Sequence, residues 1–223
     1  QARALGTYYS CLCYMKQKRW DKLLATIENY ETEFADENVK NFHSPVRFER
    51  IRAQVEMKNL VDAETEYLAL KAADPESSRI PLAAYLLGMA FFNSSEDALK
   101  AENKDLWREH LTKAADYFAF YLTGVTTPQA DHYETIGIWR YKLDDLERAA
   151  PNLNRALDML TARLDALEDQ RPENAEFKAL SDRIEGITVL LSEILLKSGK
   201  FAEAKSFFED LLIKDEGGRE RVM

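Results

Sequence analysis

Apolar residues recur along this chain at intervals of three and four, in paired runs separated by a short polar turn. Toward the C-terminal end, Leu191-Ser192-x-x-Leu195 is followed by Ser198-Gly199-Lys200-Phe201 and then by Ala204, Phe208 and Leu211. This spacing predicts helix, tight turn, helix. Gly199 tolerates the left-handed backbone that closes a helix, and Ala204 is small enough for the second helix to approach the first. The same arrangement places Tyr133-x-x-Ile136-Gly137 before Ala149, Leu153 and Ala156, and Cys11 and Tyr14 before Trp20, Leu23, Ile27 and Tyr30. A helix from Val46 to Met57 precedes Ala63, Tyr67 and Leu70, which end at Asp74-Pro75. A further pair joins Leu87-Gly88-x-x-Phe91 to Leu111, Ala114, Phe118 and Tyr121. In that pair the polar stretch from Asn93 to Leu106 must form lengthened helix ends or a projecting loop. In three pairs the interval across the turn is the same, nine residues: Tyr14 to Leu23, Arg140 to Ala149 and Leu195 to Ala204.

Punctuation agrees with helices. Ser44-Pro45 and Thr127-Pro128 place a capping hydroxyl before a proline suited to a first turn, and Asp74-Pro75 with Ile80-Pro81 marks a linker between hairpins. Ala150-Pro151 requires that its helix begin close to Leu146 or kink at the proline. Gly217-Gly218 stops the last helix. No domain boundary shows, so the expectation is one helical-repeat domain over residues 1–214 and a short tail over 215–223.

These residues resemble the tetratricopeptide repeat, whose pattern runs W-x2-L-G-x2-Y, then A-x3-F, then a closing proline. The resemblance covers nearly the whole chain. Its Ala-type positions (23, 63, 114, 149, 204) are irregularly spaced, and Arg140 stands where an aromatic is usual. It implies an all-α fold, a right-handed α-solenoid of about five helix-turn-helix hairpins, with first helices lining a concave face. Carried across in register, that face would present Tyr8, Leu12 and Met15, then Phe48 and Arg52, then Tyr85, Met89 and Phe92, then Ile138 and Tyr141. Such an aromatic and Met-containing stripe suits recognition because it offers large contact area and adaptable shape. The Lys and Asn set with which some members clamp a C-terminal carboxylate is absent at the matching positions. The resemblance therefore implies a non-catalytic scaffold or adaptor for a protein or peptide partner. A structural segment of a larger secreted or envelope-associated repeat protein, and a ligand-sensing helical module, stay open beside it.

Composition narrows the picture. With 46% hydrophobic residues the 223-residue chain can bury a core, and 8 Gly and 6 Pro are few enough to favour helices throughout. A net charge of −9 and a pI of 5.0 produce a field that repels phosphate backbones, which disfavours nucleic acid as a partner. The most apolar stretch, Ile187 to Leu196, is interrupted by Ser192 and Glu193 and is shorter than the ~20 residues of a membrane span. Starting at Gln1 inside a helix, and ending soon after the fifth hairpin, the chain is expected to be a processed or trimmed piece of a longer parent. Its compartment stays open.

Chemistry is sparse. His43, His110 and His132 are not paired at helical spacing, and no phosphate-cradling glycine loop or nucleophile elbow occurs. Cys11 and Cys13 point ~200° apart on a helix, which argues against a shared metal or a bridge. The carboxylates, Glu64 among them, are expected on solvated helix faces. No catalytic residue, metal or cofactor is expected.

Overall fold

The computed structural model describes residues 2–34, 42–167 and 175–207. Nine helices are bounded among them: α1 (Ala2–Lys16), α2 (Trp20–Glu33), α3 (His43–Glu56), α4 (Leu60–Ala73), α5 (Arg79–Lys100), α6 (Lys104–Thr123), α7 (Ala130–Lys142), α8 (Leu146–Asp165) and α9 (Ala175–Lys197). Residues 201–207 are also helical, and the described residues contain no strand. The fold is all-α, as the periodicity predicts. Contacts divide the chain into two compact units, Gln1–Val125 and Thr126–Met223. The first holds the hairpins α1–α2, α3–α4 and α5–α6; the second holds α7–α8 and α9 with residues 201–207.

One turn builds every hairpin. Its central residue has positive φ: Lys18 at 55°, Lys58 at 60°, Glu102 at 57°, Asp144 at 63° and Gly199 at 74°. The central N–H donates to the carbonyl three residues back, and the next N–H to the carbonyl five back, so Arg19 donates to Tyr14, Asn59 to Gln54, Asn103 to Ala98, Asp145 to Arg140 and Lys200 to Leu195. This closure satisfies carbonyls that the ending helix would leave unpaired. The following helix then opens with Leu23, Ala63, Trp107, Ala149 and Ala204 donating back to those same turn residues. The interval of nine is therefore set by the turn. It recurs in all five hairpins and ends at Trp107 in the third, not at Ala114.

Only Gly199 meets positive φ without a side-chain penalty. Lys18→Gly, Lys58→Gly and Glu102→Gly are each expected to raise unfolding free energy by about 0.5–1 kcal/mol, and Gly199→Ala to lower it by a similar amount. Urea unfolding reads both signs; loss of stability in the three glycine variants would contradict this turn geometry.

The third hairpin carries an insertion. Gly88 lies fourteen residues before the central turn residue Glu102, whereas Gly137 lies seven before Asp144. The end of α5 is thus longer by two turns, roughly 10 Å, while α6, with 20 residues, exceeds the 14 of α2 and α4 and equals α8. The polar stretch from Asn93 to Leu106 forms lengthened helix ends.

Close packing follows the small residues. A Cβ at Gly88 would stand 3.3 Å from the Ala114 carbonyl and from the Phe118 amide of α6. A Cβ at Gly137 would stand 2.7 Å from Leu153 Cγ and Cδ2 on α8. In the first unit Cys11, Leu23, Ile27 and Tyr30 form a fully enclosed cluster; in the second, Ala149, Leu153, Ala156 and Leu160 pack against Leu180, Ile187, Leu191 and Ile194. Cys11 is buried and Cys13 exposed, so the two thiols do diverge. Burial, and then the Glu49 carboxylate, push the Cys11 thiol up to about 11.

Several expectations need correction. Glu64 is not a solvated carboxylate: it accepts from Lys113 Nζ and from the Tyr117 hydroxyl, both at 2.8 Å, and ties α4 to α6. Ser44 lies inside α3 and donates to Asp74 Oδ2 at 2.5 Å, so it caps nothing. Pro128 precedes α7, whose cap is Gln129, bonded reciprocally with His132. Ile80-Pro81 belongs to the first turn of α5, where a missing N–H costs nothing, and not to a linker. Pro151 sits within α8, which does begin at Leu146. Phe208, Leu211, Gly217-Gly218 and the tail 215–223 lie outside the described residues.

Candidate binding surface

In the first unit, α3 packs against both α1 and α5, so the three first helices lie side by side. That arrangement decides which of the sequence-predicted residues face outward. Met15 and Phe48 are 8% and 7% exposed and belong to the core: Met15, on α1, joins the cluster with Leu23 of α2 and Val46 and Ala53 of α3, and Phe48 lies on α3, which is flanked by α1 and α5. Tyr8 and Leu12 are half-buried on α1. Arg79 lies 5.5 Å and Arg52 5.9 Å from the Phe48 ring centre. Arg52 Nη1 also donates to both Glu49 carboxylate oxygens, at 2.9 and 3.2 Å.

Glu49 is a residue that sequence reasoning missed. It is 3% exposed, and burial holds its carboxyl above the usual carboxylate range while Arg52 and Arg79 oppose that shift. Its only signal in the sequence is Arg52 three positions on, within reach on one helix face.

On α5, Tyr85 is 37% exposed and leans on Phe118 and Tyr121 of α6, at 6.0 and 5.0 Å between ring centres. Met89 and Phe92 are half-buried. Met89 opens into a groove of about 360 Å³ with Val55, Leu60, Leu86 and Ala90 as apolar walls. Lys58 and Asp97 face each other at its rim, 3.7 Å apart. The groove exists because of the insertion: Asn93, Ser94 and Asp97, from the lengthened end of α5, stand opposite the turn between α3 and α4. The polar stretch read as an insertion was the signal for this wall; Val55, Leu60 and Leu86 carried none beyond their helical period.

The second unit holds the remaining two residues. Ile138 packs partly against the α8–α9 core. The Tyr141 hydroxyl donates to Glu193 of α9, and Lys197 Nζ stands 4.6 Å from the ring centre. The bond to Glu193, more than burial, raises the phenol above its ordinary range. Tyr141 thus braces α7 against α9.

The histidines are engaged. His43 Nε2 is 3.0 Å from the Phe34 carbonyl, and His132 Nδ1 accepts from the Gln129 amide at 3.1 Å. His110 Nδ1 and Ser94 Oγ are 2.9 Å apart, a nucleophile-and-base spacing. Ser94 sits in mid-helix, where the turn's amides are already bonded, and no carboxylate hydrogen-bonds His110 among the described residues. Among those residues no group of three or more His, Cys, Asp or Glu could hold a metal, and no helix is long and apolar enough to cross a membrane.

No family model matches the chain, and no curated protein matches it in sequence. Among solved structures, it is similar to BtubC (BKLC) from P. vanneervenii, with 15% identity, a TM-score of 0.43 and coverage of 94% of this chain and 78% of that one. It is also similar to a Podosopora anserina kinesin light chain with nearly identical TPR-like repeats, with 13% identity, a TM-score of 0.37 and 97% of each chain covered. At these values neither structure transfers a residue or a partner, and the hairpin architecture rests on the helices and turns themselves.

Proposed function

We propose that this chain is a tetratricopeptide-like, non-catalytic interaction module that docks a protein or peptide partner. The observation that carries this reading is the groove between the α3–α4 turn and the lengthened α5. Its walls are Val55, Leu60, Leu86, Met89 and Ala90, and an apolar side chain entering there would leave water for apolar contact on several sides. Its occupant is a peptide segment carrying a bulky apolar side chain. Glu56 and Asp97 against Lys58 make the rim mildly acidic, which favours a flanking basic residue in the partner. Tyr85 and the exposed Leu82 extend apolar surface along the same helix.

Met89→Asp places a charge on the groove wall and is expected to weaken capture of peptides selected on the wild-type chain by more than tenfold, with the helical circular dichroism spectrum unchanged. Tyr141→Ala, in the other unit, should leave that affinity intact. Equal capture by Met89→Asp and wild type would reject the groove.

A further inference from the structure

We infer that a second, polar cleft in the unit Gln1–Val125 binds a phosphoryl group. The cleft has a volume of about 650 Å³ and is lined by His43 and Arg47 of α3, Asp74 after α4, and Ser77, Ser78 and Arg79 at the start of α5. It shares no residue with the apolar groove and does not depend on the reading given to that groove.

The charges single it out. The chain has 39 carboxylates against 30 Lys and Arg, and among the described residues the other half-buried guanidiniums meet carboxylates, except Arg19, which lies over the Tyr14 ring. Arg50 meets Glu31 and Glu66 at 2.8 and 2.9 Å, Arg52 meets Glu49 at 2.9 Å, Arg140 meets Asp145 at 3.3 Å and Arg183 meets Asp131 at 2.5 Å. Arg47 and Arg79 are half-buried and make no ion pair within 4.0 Å among the described residues; Arg79 acts only at longer range on the buried Glu49 carboxylate, which Arg52 already pairs. Asp74, the one acid in the lining, accepts from Ser44. With Glu49 and its partner Arg52 counted beside the lining, three guanidiniums stand against two carboxylates, which leaves the cleft positive inside an acidic molecule.

Geometry favours a phosphoryl group over a carboxylate. One guanidinium fork satisfies a carboxylate's two oxygens, whereas a phosphoryl group presents three oxygens and close to two charges, which engage two forks and neighbouring hydroxyls. Arg79 is held with its guanidinium 5.5 Å from the Phe48 ring centre, which fixes its position without occupying its in-plane donors. Ser77 and Ser78 supply hydroxyls beside it. The cleft also borders the first turns of α3 and α5, whose partial positive charge adds to that of the arginines.

The test is titration of the full chain at low salt with inorganic phosphate, with O-phosphoserine and with glutarate, followed by amide chemical shifts. Saturable changes at residues 43–47 and 77–79 are expected with the two phosphorus compounds. Arg79→Gln and Arg47→Gln should each weaken binding at least tenfold, and Arg108→Gln, on an exposed face of α6, should not. Arg47→Gln leaves the Phe48 contact intact, so its effect is independent of packing. Tighter binding of O-phosphoserine would assign the group to a phosphorylated side chain, and tighter binding of inorganic phosphate to the free anion; both support the site. Non-saturable shifts, wild-type affinity in both glutamine variants, or equally tight glutarate would overturn it.

Discussion

Leu153→Ala is expected to lower the unfolding free energy by about 2–5 kcal/mol, read from urea unfolding by far-UV circular dichroism. Leu153 is fully enclosed and packs across the α7–α8 contact, against the face where Gly137 exposes bare backbone. The same contact makes Gly137→Ala costly, by about 1–3 kcal/mol, because the added methyl meets Leu153 Cγ and Cδ2 at 2.7 Å and its backbone nitrogen at 3.2 Å. The double variant should then cost clearly less than the sum, since the new methyl enters space that the leucine has vacated. Gly186→Ala on α9 meets nothing within 4 Å and should instead stabilise by about 0.5–1 kcal/mol. Additive losses in the double variant would mean that Gly137 and Leu153 do not touch.

Ala114→Trp is the second large effect. Ala114 is fully buried at the point where α6 passes Gly88, with its carbonyl 3.3 Å from where a Cβ on that glycine would stand. No space exists for an indole, and separating α5 from α6 would also strain the Phe91–Tyr117 stack and the bond from Tyr117 to Glu64. A loss on the order of 1–3 kcal/mol or more is expected, while Glu203→Trp, on an exposed position, should change stability by less than about 0.5 kcal/mol. Equal tolerance at both positions, measured by thermal unfolding, would contradict the register of the third hairpin.

Helical period and turn chemistry are local properties, and they were legible. Gly199, the spacing of Leu191 and Leu195, and the nine-residue interval each report a backbone hydrogen-bond pattern confined to one turn. The insertion was legible too, as a polar stretch between two apolar runs. Arrangement across helices was not. Ser44 reads as a cap until Asp74, thirty residues on, is seen to accept its hydroxyl. Glu64 reads as a solvated acid until Lys113 and Tyr117 arrive from α6. Met15 and Phe48 share helical positions with outward-facing residues but turn inward, Phe48 because α3 is flanked on both sides and Met15 because α1 packs there on Leu23, Val46 and Ala53 of its neighbours. The groove walls come from three helices and the turn between two of them, so no single stretch of sequence carries the groove's signature.

Hydrogen–deuterium exchange of the wild-type chain, with and without a peptide selected on it from a random displayed library, tests the docking groove most directly. Slowed exchange confined to residues 55–60 and 86–97 is the predicted result. Protection that spares those segments, or a library that yields no peptide distinguishing wild type from Met89→Asp, would contradict a partner seated between the α3–α4 turn and α5.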